Sequence, residues 1–215
     1  DSMASMGANN ITVGVSQKST SQETTSSGMT FSMGPRFTKM TEDDYISDEM
    51  LDSLEERYGD SIQGFSLTES VGSGTAQLGS LYAYVNATGV NEANLENTDL
   101  TLLAGRTLTE RDQIEAKKVC LVSDYLVNNL FNGNNMAAVG QTVDVLFNSR
   151  YYTYTIVGVY KYEESDMGFS SSSEEDTETT LYLPLQTAKN QTHNTNGYSQ
   201  FTILTASGVS ATSFC

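Results

Sequence analysis

Val139-Gly140-Gln141-Thr142-Val143-Asp144-Val145-Leu146-Phe147, then Asn148-Ser149, then Tyr151-Tyr152-Thr153-Tyr154-Thr155-Ile156-Val157-Gly158-Val159-Tyr160 is the stretch whose reading decides the fold. Two β-branched and aromatic runs flank two residues that favour turns, which predicts a β-hairpin. Alternation puts Tyr152, Tyr154, Tyr160 and Tyr162 on one face if no bulge intervenes. Upstream, Ser123 caps a short helix carrying Leu126, Val127, Leu130 and Phe131 on one stripe, ended at Asn132-Gly133 where positive φ is needed. Val119-Cys120-Leu121-Val122 before it suits a buried strand, and ahead of that lie the run Leu100 to Arg106 and a polar arm carrying Asp112. Leu81 to Thr88 alternates as a half-buried strand, followed by an expected turn at Gly89.

The order of these pieces resembles the extracytoplasmic domain of MacB-type ABC transporter permeases, a family that includes the FtsX-like and lipoprotein-release permeases. The resemblance is carried by Val85-Asn86-Ala87-Thr88-Gly89-Val90, by Leu103-Ala104-Gly105-Arg106 with Asp112 beyond it, and by Val119 to Val122. Leu130-Phe131, Val139-Gly140-Gln141-Thr142-Val143, Ile156-Val157-Gly158-Val159 and Tyr182-Leu183-Pro184-Leu185 continue it. Each match is short, and the series in order is what tells. The family-motif positions are therefore Gly89, Gly105, Arg106, Asp112, Phe131, Gly140, Gly158 and Pro184, in structural rather than catalytic roles.

The resemblance implies an α+β fold of two mixed α/β lobes. One, from residues 1–72 and 180–215, is porter-like, discontinuous and next to the membrane; the other, residues 73–179, is a mostly-β insertion held further out. It also implies permease transmembrane helices flanking this stretch, an ABC ATPase as a partner or fused domain, and a second permease copy. The domain would be non-catalytic, at the extracytoplasmic face of the cell membrane. It would transmit ATP-driven conformational change for efflux of a peptide, antibiotic or lipid-linked substrate.

Charge narrows the partners. Lys plus Arg number 11 against 27 Asp plus Glu, a net charge of −16. Such a field repels phosphate backbones and anionic lipid heads, which disfavours nucleic acid and basic-patch membrane binding. No apolar run approaches the roughly 18 residues of a membrane span, and no signal-peptide pattern opens the chain. A start at Asp1 and an end at Cys215 suit a soluble piece cut at a membrane surface. Of two cysteines, Cys120 reads as an inert core thiol, and a disulfide to the terminal Cys215 is not expected.

Towards the N-terminus, Asn10 to Val15 reads as a strand, Ser16 to Thr30 as a polar stretch without assigned structure, and Gly34-Pro35 as a turn. Ser47 caps a helix with Asp48 and Glu49 in its first turn, an Ile46–Leu51 hydrophobic staple, and a buried stripe of Met50, Leu51, Leu54 and Tyr58 ended by Gly59. Ser61 to Leu67 follows as a strand. Glycines 72, 74 and 79 in Val71 to Ser80 read as a hinge between lobes, since no helix follows to make them a phosphate loop. Glu163 to Thr180 is an acidic loop lacking the ligand spacing of a calcium site. Leu181 to Leu185 is a strand stopped by Pro184, at an edge or a strand end; a helical turn at Gln186 to Lys189 and a last strand, Gln200 to Ala206, follow.

Catalytic patterns are missing. The single histidine, His193, sits in a Thr/Asn/Gly loop and reads as a surface residue. No zinc spacing, P-loop, nucleophile elbow or dinucleotide fingerprint occurs, and no cofactor is expected. The alternative function is a secreted or surface-tethered module that binds a ligand through the Tyr-rich sheet. A carboxylate-type hydrolase is a third reading, because acidic residues are plentiful.

Overall fold

The computed structural model describes residues 11–14, 19–20, 23–26, 29–32, 36–37, 45–59, 62–163, 177–194, 197–198 and 200–205. Contacts divide the chain into two units: Asp1–Gln63 with Asn196–Cys215, and Gly64–Thr195. Strands and helices are mixed in an α+β fold.

The first unit opens with β1 (Ile11–Gly14), β2 (Ser19–Thr20), β3 (Glu23–Ser26), β4 (Met29–Ser32) and β5 (Arg36–Phe37). β3 pairs antiparallel with β4, and β2 with β5. Short strands thus lie inside Ser16–Thr30, where no structure was assigned. Polar sequence hid them, because backbone pairing needs no apolar alternation to form. Helix α1 (Asp48–Tyr58) starts at Ser47, whose Oγ accepts from Met50 N at 3.3 Å. Ile46 and Leu51 are both buried, as the staple requires. Met50 and Tyr58 are exposed, so the expected stripe narrows to Leu51 and a half-buried Leu54. Gly59 ends the helix with an ordinary φ of −52°.

The second unit is a ring of strands. Its members are β6 (Ile62–Leu78), β7 (Leu81–Val90), α2 (Glu92–Thr98), β8 (Leu102–Gly105), α3 (Glu110–Ile114), β9 (Val119–Ser123) and α4 (Asp124–Phe131). α5 (Asn135–Ala138), β10 (Thr142–Phe147), β11 (Arg150–Tyr160), β12 (Thr179–Pro184) and α6 (Leu185–Thr192) complete it. Hydrogen-bonded neighbours run β6-β10-β11-β9-β12-β7, and β7 pairs back onto β6, so six strands close on themselves. Closure removes the exposed sheet edges of an open sheet. The last strand, β13 (Gln200–Thr205), returns to the first unit and pairs antiparallel with β1, while Tyr198 bridges to Ile46.

Two cores follow from this ring. The inner one holds Val85, Cys120, Val122, Val143, Val145, Tyr154, Ile156, Leu181 and Leu183, stoppered by Leu126, Val127 and Leu130 of α4. The second, outside the ring, holds Val90, Leu95, Leu108, Leu121 and Tyr160. β12 lies between β7, to which it is parallel, and β9, so Thr179 to Thr192 packs with the central unit; the expected boundary stood at 179/180. Pro184 closes this interior strand at its end rather than marking an edge.

Three further expectations change. Gly89 lies within β7, facing Leu183 and Glu69 across two pairings, not in a turn. Val71 to Ser80 is no hinge: β6 runs through it, and at Gly74 a β-carbon would collide with the Phe147 ring and the Leu146 carbonyl. Gly74 lets β6 pass close to β10. Finally, Val157 is an extra residue of β11 between Ile156 and Gly158, whose β9 partners Cys120 and Leu121 are consecutive. That bulge reverses the alternation. Tyr152 and Tyr154 therefore join the inner core while Tyr160 and Tyr162 join the outer one, and no single tyrosine face exists. Segment 164–176 and Cys215 lie outside the described residues; Cys120 is a free thiol, fully buried.

Candidate functional site

The densest polar construction in the central unit is the strap from Gly105 to Lys118. It leaves β8 at Gly105, which pairs with Gly158 of β11. Gly105 has φ +76°, and a β-carbon there would run into the Val157 carbonyl; a β-carbon on Gly158 would run into the Arg106 carbonyl. Only two glycines allow this approach. Arg106 N then donates to Val157 O at 2.9 Å, and at the other end Thr155 N donates to Lys118 O at 2.9 Å. The strap is sewn to β11 at both ends.

Its turn is built around one carboxylate. Thr109 caps α3 in a capping box with Asp112. Asp112, whose side chain is only 1% exposed, accepts from Arg106 Nη1 at 2.6 Å and Nη2 at 3.3 Å, Thr109 Oγ1 at 2.8 Å and Thr109 N at 3.0 Å. Lys117 Nζ lies 3.3 Å away. Burial alone would raise the Asp112 pKa, but the bonds from Arg106, Thr109 and Lys117 outweigh it and hold the carboxyl well below the usual carboxylate range. Glu115, at the surface, is also lowered, chiefly by Arg111.

The next residue turns the other way. Gln113 Nε2 donates to Val90 O at 2.7 Å, and Leu185 N donates to Gln113 Oε1 at 2.7 Å. One side chain thus joins the end of β7 to the first turn of α6, whose cap, Pro184, offers no side-chain bond. Thr187 Oγ1 adds a bond to Lys117 O at 2.8 Å.

The sequence-derived positions fall into two groups and one outlier. Gly105, Arg106, Asp112 and Gly158 converge at the strap, and Gly140 N donates to Ile156 O nearby on β11 at 2.8 Å. Gly89 and Pro184 sit at the ends of the parallel pair β7/β12, and a β-carbon on Gly89 would collide with Ala188 of α6. Phe131 ends α4, half-buried on the inner core and apart from both groups. Sequence reading passed over Thr109, Gln113 and Lys117. Thr109-x-x-Asp112 was the signal available, as a capping-box pattern; Gln113 had none.

The strap holds no nucleophile with an adjacent base. Among the described residues no group of three or more His, Cys, Asp or Glu is placed to hold a metal ion. His193 is exposed and closes α6 with φ +56°. Among the described residues, no helix is long and apolar enough to cross a membrane. What the geometry supplies is a hydrogen-bonded tie from the strap to β11 on one side and to the ends of β7 and α6 on the other.

Comparison with known proteins gives the setting. The family model described as MacB-like periplasmic core domain matches residues 3–214. The structure is similar to the extracellular domain of YknZ, a noncanonic ABC-type transporter from Gram-positive bacteria, at 20% identity and TM-score 0.56, covering 76% of this chain and 74% of that one. It is also similar to the periplasmic region of MacB from Actinobacillus actinomycetemcomitans, at 22% identity and TM-score 0.54, covering 76% and 66%. At these identities the structural likeness speaks for the fold. No curated protein matches the chain.

Proposed function

The chain belongs to the MacB-like periplasmic core domain family, and from that premise we propose that it is the extracytoplasmic domain of an ABC exporter permease that relays ATP-driven movement outside the membrane. The observation that carries this reading is the family match across nearly the whole chain, residues 3–214. The strap supports it physically: a relay needs parts that move as one body, and the buried Asp112 hub and Gln113 clamp stiffen the central unit. In this reading the eight motif positions are structural, the ATPase is a partner or fused domain, and a second permease copy completes the assembly. Asp1–Gln63 with Asn196–Cys215 is then the lobe next to the membrane, and Gly64–Thr195 the distal lobe. The cargo is a peptide, antibiotic or lipid-linked molecule.

The test uses the parent permease reconstituted with its ATPase, in a Cys215→Ser background. A spin label at Met136→Cys, an exposed position on α5, reports the distance between copies by pulsed electron resonance. The distance distribution should shift between nucleotide-free and vanadate-trapped states. An unchanged distribution, with ATP hydrolysis intact, overturns the relay.

A further inference from the structure

A cleft of about 450 Å³ opens at the end of the ring, lined by Val71, Phe147, Asn148, Arg150, Tyr152, Gln191 and Thr192. Its size is that of small-molecule sites, which combine apolar walls with a few fixed polar groups. The walls here are Val71, Phe147 and Tyr152, the last two with ring centroids 6.1 Å apart. Two donors stand out. Gln191 Oε1 accepts from the Tyr154 hydroxyl, which fixes the amide, and leaves Nε2 buried without a partner. Burial raises the Tyr154 pKa, so that hydroxyl stays a donor. Arg150 is exposed and makes no ion pair among the described residues, in a chain where 27 acidic side chains outnumber 11 basic ones.

A buried amide nitrogen without a partner, on a side chain that lines the cleft, and a guanidinium without an ion pair among the described residues call for an acceptor with an apolar body. Charge sets an upper limit. The carboxylate of Glu69 lies close by, held by Thr192 Oγ1 at 2.8 Å and Asn194 Nδ2 at 3.0 Å, and the last turn of α6 presents its negative dipole end. Both disfavour a doubly charged guest such as phosphate. We propose that this cleft binds a small monocarboxylate with an aromatic or branched apolar group, its carboxylate on Arg150 and Gln191 and its apolar part against Tyr152 and Phe147. The site stands independently of the transport reading.

Sodium phenylacetate is the probe, titrated into the ¹⁵N-labelled 215-residue chain and followed by amide correlation spectra. Saturable shifts are expected at the Gln191 side-chain amide and at the backbone amides of Val71, Asn148 and Thr192. Neutral phenylacetamide should bind about tenfold more weakly, and Arg150→Gln should weaken phenylacetate by a similar factor. Arg150 is exposed, so that variant keeps its dispersed spectrum. No saturable shift at these residues up to tens of millimolar, equal binding of phenylacetamide, or undiminished binding to Arg150→Gln would each overturn the proposal. Inorganic phosphate binding as tightly as phenylacetate would overturn its monoanion class.

Discussion

The hairpins of the central ring and its parallel pairs are made by different physics. In the hairpins β6–β7 and β10–β11, strand partners meet across two residues: Leu78 faces Leu81 over Gly79-Ser80, and Phe147 faces Arg150 over Asn148-Ser149. Asn148 and Ser149 both take positive φ, +45° and +64°, the requirement of a type I′ turn. In the parallel pairs β7–β12 and β9–β11, partners such as Val85 and Thr179 are far apart in sequence, and no turn can set the register. Glycines that let backbones touch, and side chains that tie strand ends together, do so instead. Even the seam between β9 and β12, where only Tyr182 and Leu121 pair, is closed by side chains: Ser123 Oγ donates to Thr179 Oγ1 at 2.7 Å, and from the end of β11 the Tyr160 hydroxyl donates to Thr180 O at 2.7 Å. Local register is cheap to specify, whereas distant register needs steric and polar locks.

Substitutions in the two kinds of pairing should therefore differ widely in cost. The chain has twelve Tyr and no Trp, so tyrosine fluorescence during urea unfolding reads all of them. The largest effect is expected at Gly158→Val, which forces a side chain against the Arg106 carbonyl and Leu121: a loss of about 4 kcal/mol, or failure to fold. A loss under about 1 kcal/mol would show that the crossing is loose.

Asp112→Ala should come next, at about 3 kcal/mol, because it strips two cations and the α3 cap of their shared acceptor. Its pH dependence has a definite sign. The folded pKa lies below the unfolded value near 3.9, so the stabilisation is complete at neutral pH, fades as pH falls through about 4, and is gone below the folded pKa. Asp112→Asn should flatten that acid limb; an acid limb identical to the parent's would remove Asp112 from the role of hub.

Gly89→Ala should cost about 2 kcal/mol through its collision with Ala188. The double variant with Ala188→Gly should recover part of it, less the roughly 1 kcal/mol of a helix glycine. Simple additivity in that cycle would mean the two residues do not compete for space. Smallest is the hairpin: Ser149→Gly relieves a β-carbon at positive φ and should raise stability by about 0.5 kcal/mol. A loss there would contradict the I′ turn.

Legibility followed the same divide. The hairpin at Asn148-Ser149, the Ser123-capped helix and the Ser47-capped helix were all readable, because cap and turn act within four residues of their signal. Of the motif set, Arg106 and Asp112 were readable as a pair but not as a buried hub, since burial depends on Leu108 and the strap folding over β11. Gln113 and the cleft residues Arg150 and Gln191 carried no pattern at all.

By itself the sequence determined the periodic elements, their caps, the acidic surface charge and, through a series of short motifs, the family. Tertiary structure alone decided that Val71 to Ser80 is the end of a strand and its hairpin turn rather than a hinge, that Gly89 lies beneath a helix, and that a bulge at Val157 splits the tyrosines between two cores. The reason is range: propensity and capping act between near neighbours, whereas which residue a glycine makes room for, and which face a side chain ends on, depends on strands brought together from distant parts of the chain.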